Sequence, residues 1–136
     1  MVNSLKILIT GGTRGLGRKI AENLISQGHE IYIVGKTAKK EIDQSYLSVV
    51  TEYIECDMSN IKELETAIMS LINKTGRIDV LVNNAAVRKF DRLGSFQTDE
   101  IRRSINVDFM SPVVLSNLCL PVMKRNNFGR IINISS

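Results

Sequence analysis

Thr10-Gly11-Gly12-Thr13-Arg14-Gly15-Leu16-Gly17 is the stretch that decides the fold of this chain. It follows Lys6-Ile7-Leu8-Ile9-Thr10, a short apolar run of the kind that makes a buried strand. It leads into Leu16, Ile20 and Leu24, which recur at helical spacing and are followed by Gly28 as a helix stop. Glycines here let the backbone turn sharply and approach a ligand closely. Unpaired N–H groups at the start of a helix favour a pyrophosphate. The spacing is GxxxGxG rather than GxGxxG, because Ile20 takes the place of the third glycine. A glycine-rich turn between a first strand and a first helix is the usual seat of a dinucleotide.

Outward from this loop the chain alternates strands and helices. Ile31–Val34 reads as a second buried strand, and Gly35 to Ser45 as a polar stretch. Val49 to Ile54 has the β-branched content of a third strand. Ile61, Leu64, Ile68 and Leu71 mark a helix that Ser59 or Asn60 can cap. Ile78 to Val82 reads as a fourth strand and Arg88 to Gln97 as a loop. Thr98 can cap a long helix with Asp99 and Glu100 in its first turn. Pro112 predicts a kink or break in it, and the helix is expected to be over by Asn126 to Gly129. Arg130 to Ile134 is the fifth strand. Apolar strands alternating with helices imply a doubly wound parallel α/β sheet with helices on both faces.

Composition narrows the function. The chain has 136 residues, with 43% hydrophobic and 24% charged, which suits one folded domain over residues 1–136. No stretch approaches about 18 consecutive apolar residues, and Met1 to Lys6 lacks the apolar core of a signal peptide. The 18 basic and 14 acidic residues leave a charge of +4, which suits an anionic ligand. The basic residues are scattered in pairs and aromatics are only 5%, against a nucleic-acid partner. Cys56 and Cys119 form no CxxC and read as reduced thiols, so a cytoplasmic protein without a membrane partner is expected. One histidine, His29, leaves a His-cluster metal site without ligands, so no metal is expected.

The end of the second strand bears on which dinucleotide fits. An acid there favours the free ribose 2′-hydroxyl of NAD, whereas a cation favours the 2′-phosphate of NADP. This chain has Gly35-Lys36-Thr37 and no acid, with Arg14 on the neighbouring loop. NADP(H) is therefore favoured over NAD(H).

Four motifs in order resemble the short-chain dehydrogenase/reductase family over the whole length. They are TGxxxGxG at Thr10 to Gly17, Asp57-Met58 after the third strand, Asn83-Asn84-Ala85-Ala86 after the fourth, and Gly129-Arg130-Ile131-Ile132-Asn133-Ile134-Ser135-Ser136 at the end. The resemblance implies a Rossmann-like sheet of about five strands in the order 3-2-1-4-5. It implies an oxidoreductase that moves a hydride between nicotinamide and a carbonyl or alcohol. Gly11, Gly12, Thr13, Arg14, Gly15, Leu16, Gly17, Lys36, Thr37, Asp57, Met58, Asn83, Asn84 and Ala85 would hold the cofactor. Ser136 would polarise the substrate carbonyl.

The chain departs from that family in three places. The catalytic Tyr and Lys of the family lie as YxxxK on a helix beyond the fifth strand. Here the only such spacing is Tyr32 to Lys36, which runs along a strand, so the chain is expected to be a truncated, catalytically incomplete domain. The family's helix asparagine falls on Asp108 when counted from either flanking motif, with Asn106 the weaker candidate. A carboxylate lacks the amide's donor. Ala86 replaces a glycine. An exposed, apolar fifth strand (130–134), or the helix over 99–123, predicts a homodimer or higher assembly. The other reading is a non-catalytic nucleotide-binding or interaction module.

Overall fold

The computed structural model describes residues 3–88 and 91–135. Its elements are β1 (Lys6–Thr10), α1 (Gly15–Ser26), β2 (Glu30–Gly35), α2 (Gln44–Val49), β3 (Glu52–Glu55), α3 (Ile61–Thr75), β4 (Val80–Asn83), α4 (Thr98–Ile105), α5 (Ser111–Arg125) and β5 (Arg130–Asn133). The strands are parallel and lie in the order β3-β2-β1-β4-β5, as the resemblance implies.

Alternation along the strands builds two apolar layers. Ile7, Ile9, Ile31, Ile33, Val80 and Val82 pack with Ala21 of α1 and Tyr46 of α2. Leu8, Val34 and Leu81 turn the other way, onto Leu64 and Ile68 of α3 and Leu115 and Cys119 of α5. Both faces of the central strands are thus covered, which is why they read as unbroken apolar runs. Both cysteines are free and buried, and burial pushes their thiols up, Cys56 to about 11 and Cys119 to about 12.

The helix ends follow local chemistry. Gly28, at φ +88°, lies just past the end of α1, where a left-handed residue terminates a helix. Asn60 rather than Ser59 caps α3, accepting from Glu63 N at 3.3 Å. Gln97, not Thr98, precedes α4, and its N–H donates to the Glu100 carboxylate at 3.1 Å. Thr98 is instead the first helical residue.

Some boundaries move. The polar stretch before β3 hides α2, a six-residue helix capped by Asp43, which accepts from Ser45 N at 2.9 Å. That helix takes up Val49, so β3 begins at Glu52. The break expected at Pro112 is a π turn over Asn106–Met110, which joins α4 to α5. Ser111 N reaches back to Asn106 O, and Pro112 follows at the junction where its missing N–H costs least. Taken as one helix, Thr98–Arg125 is long and apolar enough to cross a membrane by length and composition. In the fold its Val107, Leu115, Cys119 and Met123 form core.

Candidate functional site

The residues singled out above gather at the carboxyl ends of the strands. The order reverses between β1, which runs on to β2, and β4 on its other side. A crevice at such a reversal is where ligands bind in open α/β sheets.

The glycine loop sits in that crevice and is braced from three sides. Gly11 N donates to Val34 O at 2.9 Å, and Tyr46 Oη donates to Gly12 O at 2.7 Å. Asn84 Nδ2 donates to the carbonyls of Thr10 at 3.1 Å and Gly11 at 3.2 Å. Gly11 holds φ +66°, and a Cβ there would meet Ala85 Cα at 3.0 Å, so the loop and the Asn83–Ala85 segment pack too closely for a side chain. A Cβ on Gly12 would press on Ile33 at 3.0 Å. Gly15 behaves otherwise: its φ is +56°, but nothing lies within 4 Å of an added Cβ. Arg14 precedes α1 in extended conformation and gives it no side-chain cap. The first turn of α1 therefore presents uncapped N–H groups beside open space, an anion-binding arrangement.

The β2 exit loop lies against the glycine loop. Thr13 and Thr37 share a hydroxyl–hydroxyl hydrogen bond of 3.4 Å. Tyr53 Oη lies 2.9 Å from Gly35 O and donates at 2.6 Å to Thr37 O, which pins the turn that carries Lys36. Arg14 follows β1 and Lys36 follows the neighbouring strand β2, and both are exposed. Leu16 is exposed beside them. Tyr32 is buried on β2 with its hydroxyl on Glu30, far in character from a helical acid–base pair.

The segment after β4 is fixed by one buried hydroxyl. Thr10 is 1% exposed, and its Oγ1 accepts from both Asn84 N and Ala85 N at 2.9 Å. Asn83 is buried, and its Nδ2 donates to Asn133 Oδ1 at 2.8 Å, tying β4 to β5. Its own Oδ1 is buried without a hydrogen-bond partner. Asn83 thus ties the strands through its amide nitrogen, while Asn84 and Ala85 pack against the glycine loop.

Asp57 and Met58 leave β3 at the far side. The Asp57 carboxylate closes a turn onto Ser59, accepting from its N at 3.0 Å and its Oγ at 2.8 Å. Arg103 of α4 donates to Oδ2 at 2.9 Å and to Oδ1 at 3.2 Å. Partial burial pushes this carboxyl up, but Arg103 and Ser59 together outweigh it and hold the group at about 2. The Met58 side chain belongs to the core, and its carbonyl accepts from Ser111 Oγ at 2.8 Å.

Asp108 and Asn106 separate clearly. Asn106 Nδ2 is committed to Ser59 O at 2.9 Å. Asp108, in the π turn and exposed, accepts from Val87 N at 2.8 Å and so faces the loop after β4. Ser136 lies outside the described residues.

The comparisons agree with this fold. A family model described as short chain dehydrogenase matches residues 5–136. The chain belongs to the short chain dehydrogenase family. It is 34% identical to D-beta-hydroxybutyrate dehydrogenase of Cupriavidus necator, covering 100% of this chain and 54% of that one. It is 35% identical to 3-oxoacyl-[acyl-carrier-protein] reductase FabG of Haemophilus influenzae, covering 95% and 54% respectively. Among solved structures, a metagenomic short-chain oxidoreductase in complex with NADP superposes with a TM-score of 0.87 at 29% identity, covering 97% of this chain and 61% of that one. The chain spans about half the length of the curated relatives it matches.

Sequence reasoning passed over Thr10 as a bracket, Tyr46, Tyr53 and Arg103. Only Tyr46 had a local signal, since Asp43 as a cap and Tyr46 to Val50 at helical spacing outline α2. The others act on partners far along the chain.

Proposed function

We propose that residues 1–136 are the dinucleotide-binding domain of a cytoplasmic, NADP(H)-dependent oxidoreductase of this family, acting on a carbonyl or alcohol. The observation that carries this is the open face at Gly15 and the uncapped start of α1, set beside a pinned turn that bears Lys36 and no acid. The cradle fits the group: a side chain would fill the close approach at Gly11, while Gly15 leaves room. Three of the solved neighbours are described as complexes with NADP or NADPH.

In this reading the α1 N-terminus receives the pyrophosphate, and Arg14 and Lys36 receive the 2′-phosphate. Thr13 and Thr37 keep those two loops together, Asp57 and the Met58 main chain face the adenine, and Asn84 and Ala85 line the crevice toward the nicotinamide end. NADP(H), when bound, supplies or takes up the hydride. Ser136 donates a hydrogen bond to the substrate carbonyl, and Asp108 stands where the family has an amide. The tyrosine and lysine of this chain at that spacing, Tyr32 and Lys36, run along β2 into its exit loop and not along a helix. Dinucleotide binding without turnover is thus the expected behaviour of these residues on their own.

Titration with NADPH and NADH checks this. NADPH should bind at least about tenfold tighter, as two cations facing one dianion require, and Lys36→Ala should narrow the gap. Equal affinities overturn the NADP preference, and no binding of either overturns the cofactor reading.

Asp108 favours a second reading, a nucleotide-binding module whose chemistry has been lost. Ile101, Ile105, Phe109 and Val113 are exposed at successive helical turns, with side chains about half accessible or more. We propose that this stripe, with β5 at the sheet edge, seats a second copy of the chain. A dimeric mass at micromolar concentration is expected, and a monomeric mass counts against it.

A further inference from the structure

The β3 exit loop is fastened to the helix wall by more bonds than a surface turn needs. Ser111 Oγ donates to Met58 O at 2.8 Å, and Asn106 Nδ2 to Ser59 O at 2.9 Å. These two hold the backbone of residues 57–59. Arg103 does something different. Its guanidinium grips the Asp57 side chain on both oxygens and also donates to Ser59 Oγ at 2.9 Å.

The count of bonds on the carboxylate is informative. Among the described residues, Oδ1 accepts from Ser59 N, Ser59 Oγ and Arg103 Nη2, whereas Oδ2 accepts only from Arg103 Nη1. One accepting position on Oδ2 therefore remains, on a side chain that is 43% exposed. A planar fork holding both oxygens fixes the orientation of the carboxylate, which a single bond would leave free to rotate.

We propose that Arg103 is a positioning residue for the adenine end of the dinucleotide: it aims the free accepting position of Asp57 at the purine's exocyclic group. This rests on the cofactor reading above. A fixed acceptor there favours a purine that carries an amino group and opposes one that carries a carbonyl, since two acceptors then face each other. Without Arg103 the carboxylate keeps its bonds to Ser59 but loses the fork that aims it. The loop itself keeps its ties to Asn106 and Ser111.

The test compares NADPH with its hypoxanthine counterpart, by equilibrium titration of this chain. The unaltered chain is expected to prefer NADPH by about tenfold. Arg103→Ala should reduce that preference to about twofold or less, chiefly by weakening NADPH. Arg103→Lys, which keeps the charge on a single nitrogen in place of the planar fork, should recover part of it. The urea midpoint of Arg103→Ala should stay close to that of the unaltered chain, because an exposed pair adds little to stability. A merely structural Arg103 would weaken both nucleotides equally, and that result overturns the proposal. So does an undiminished preference in Arg103→Ala, or no preference in an unaltered chain that binds both. If the unaltered chain binds neither nucleotide, the cofactor reading fails first and takes this one with it.

Discussion

Gly17→Ala is expected to leave a chain that unfolds early and binds no dinucleotide. Gly17 lies in the first turn of α1, against the glycine loop itself. A Cβ there would stand 2.5 Å from Asn84 Nδ2 and closer still to the Gly11 carbonyl oxygen. The second of these is backbone, and it is fixed because Gly11 N is bound to Val34 O at 2.9 Å. Relief would have to come from moving α1 off the sheet or from breaking the Asn84 bracket. Overpacking of this kind costs about 2 kcal/mol or more. Gly15→Ala is the informative control. It meets no neighbour, so its cost is confined to a left-handed backbone, about 1–2 kcal/mol. Urea unfolding of the two variants, side by side, should show the larger loss at Gly17. Equal losses would mean that the helix slides freely and that the close approach has no structural weight.

Thr10→Val is expected to destabilise the fold by about 2–4 kcal/mol, through the loss of one oxygen that serves as acceptor for Asn84 N and Ala85 N. Valine matches the shape, so packing is preserved while those N–H groups lose their partner in a half-buried place. The segment they belong to then has less to hold it in the crevice, and NADPH affinity should fall with stability. Thr10→Ser keeps the oxygen and removes one methyl from a buried site, a loss of about 1 kcal/mol. A chemical denaturation series over the three chains separates the contributions. Should Val and Ser lose equally, the methyl rather than the hydroxyl carries the effect.

The glycine loop, the strand ends and the helix periodicities were legible in the sequence because each is a local pattern. A buried strand shows as a β-branched run, and a helix as apolar residues at four-residue spacing, so β1, β2, α1 and α3 stand out. The six residues of α2 are too few to show a period, and the polar neighbours of Asp43 masked its cap. The sequence also placed Asp57 at the crevice but not its partner. Arg103 lies 46 residues away, and nothing local marks an arginine that will meet a carboxylate across a loop. The same holds for Tyr46 and Tyr53, whose hydroxyls reach back 34 and 18 residues to the carbonyls that shape the site. Tyrosines in apolar surroundings read as core, and they are core, except for the terminal oxygen. Asp108 was found by counting between motifs, and the π turn that displays it was foreshadowed only as a break near Pro112.

That π turn has one more consequence. Asp108 spends Oδ1 on the N–H of Val87, which an asparagine oxygen would accept equally well. The two side chains differ in what is left over: NH2 on the amide, a second oxygen on the carboxylate. A water resting on the amide turns its oxygen inward and offers its hydrogens outward. A water resting on Asp108 turns a hydrogen inward and shows a lone pair outward. At this point the carboxylate therefore accepts from whatever meets it, where an amide would donate.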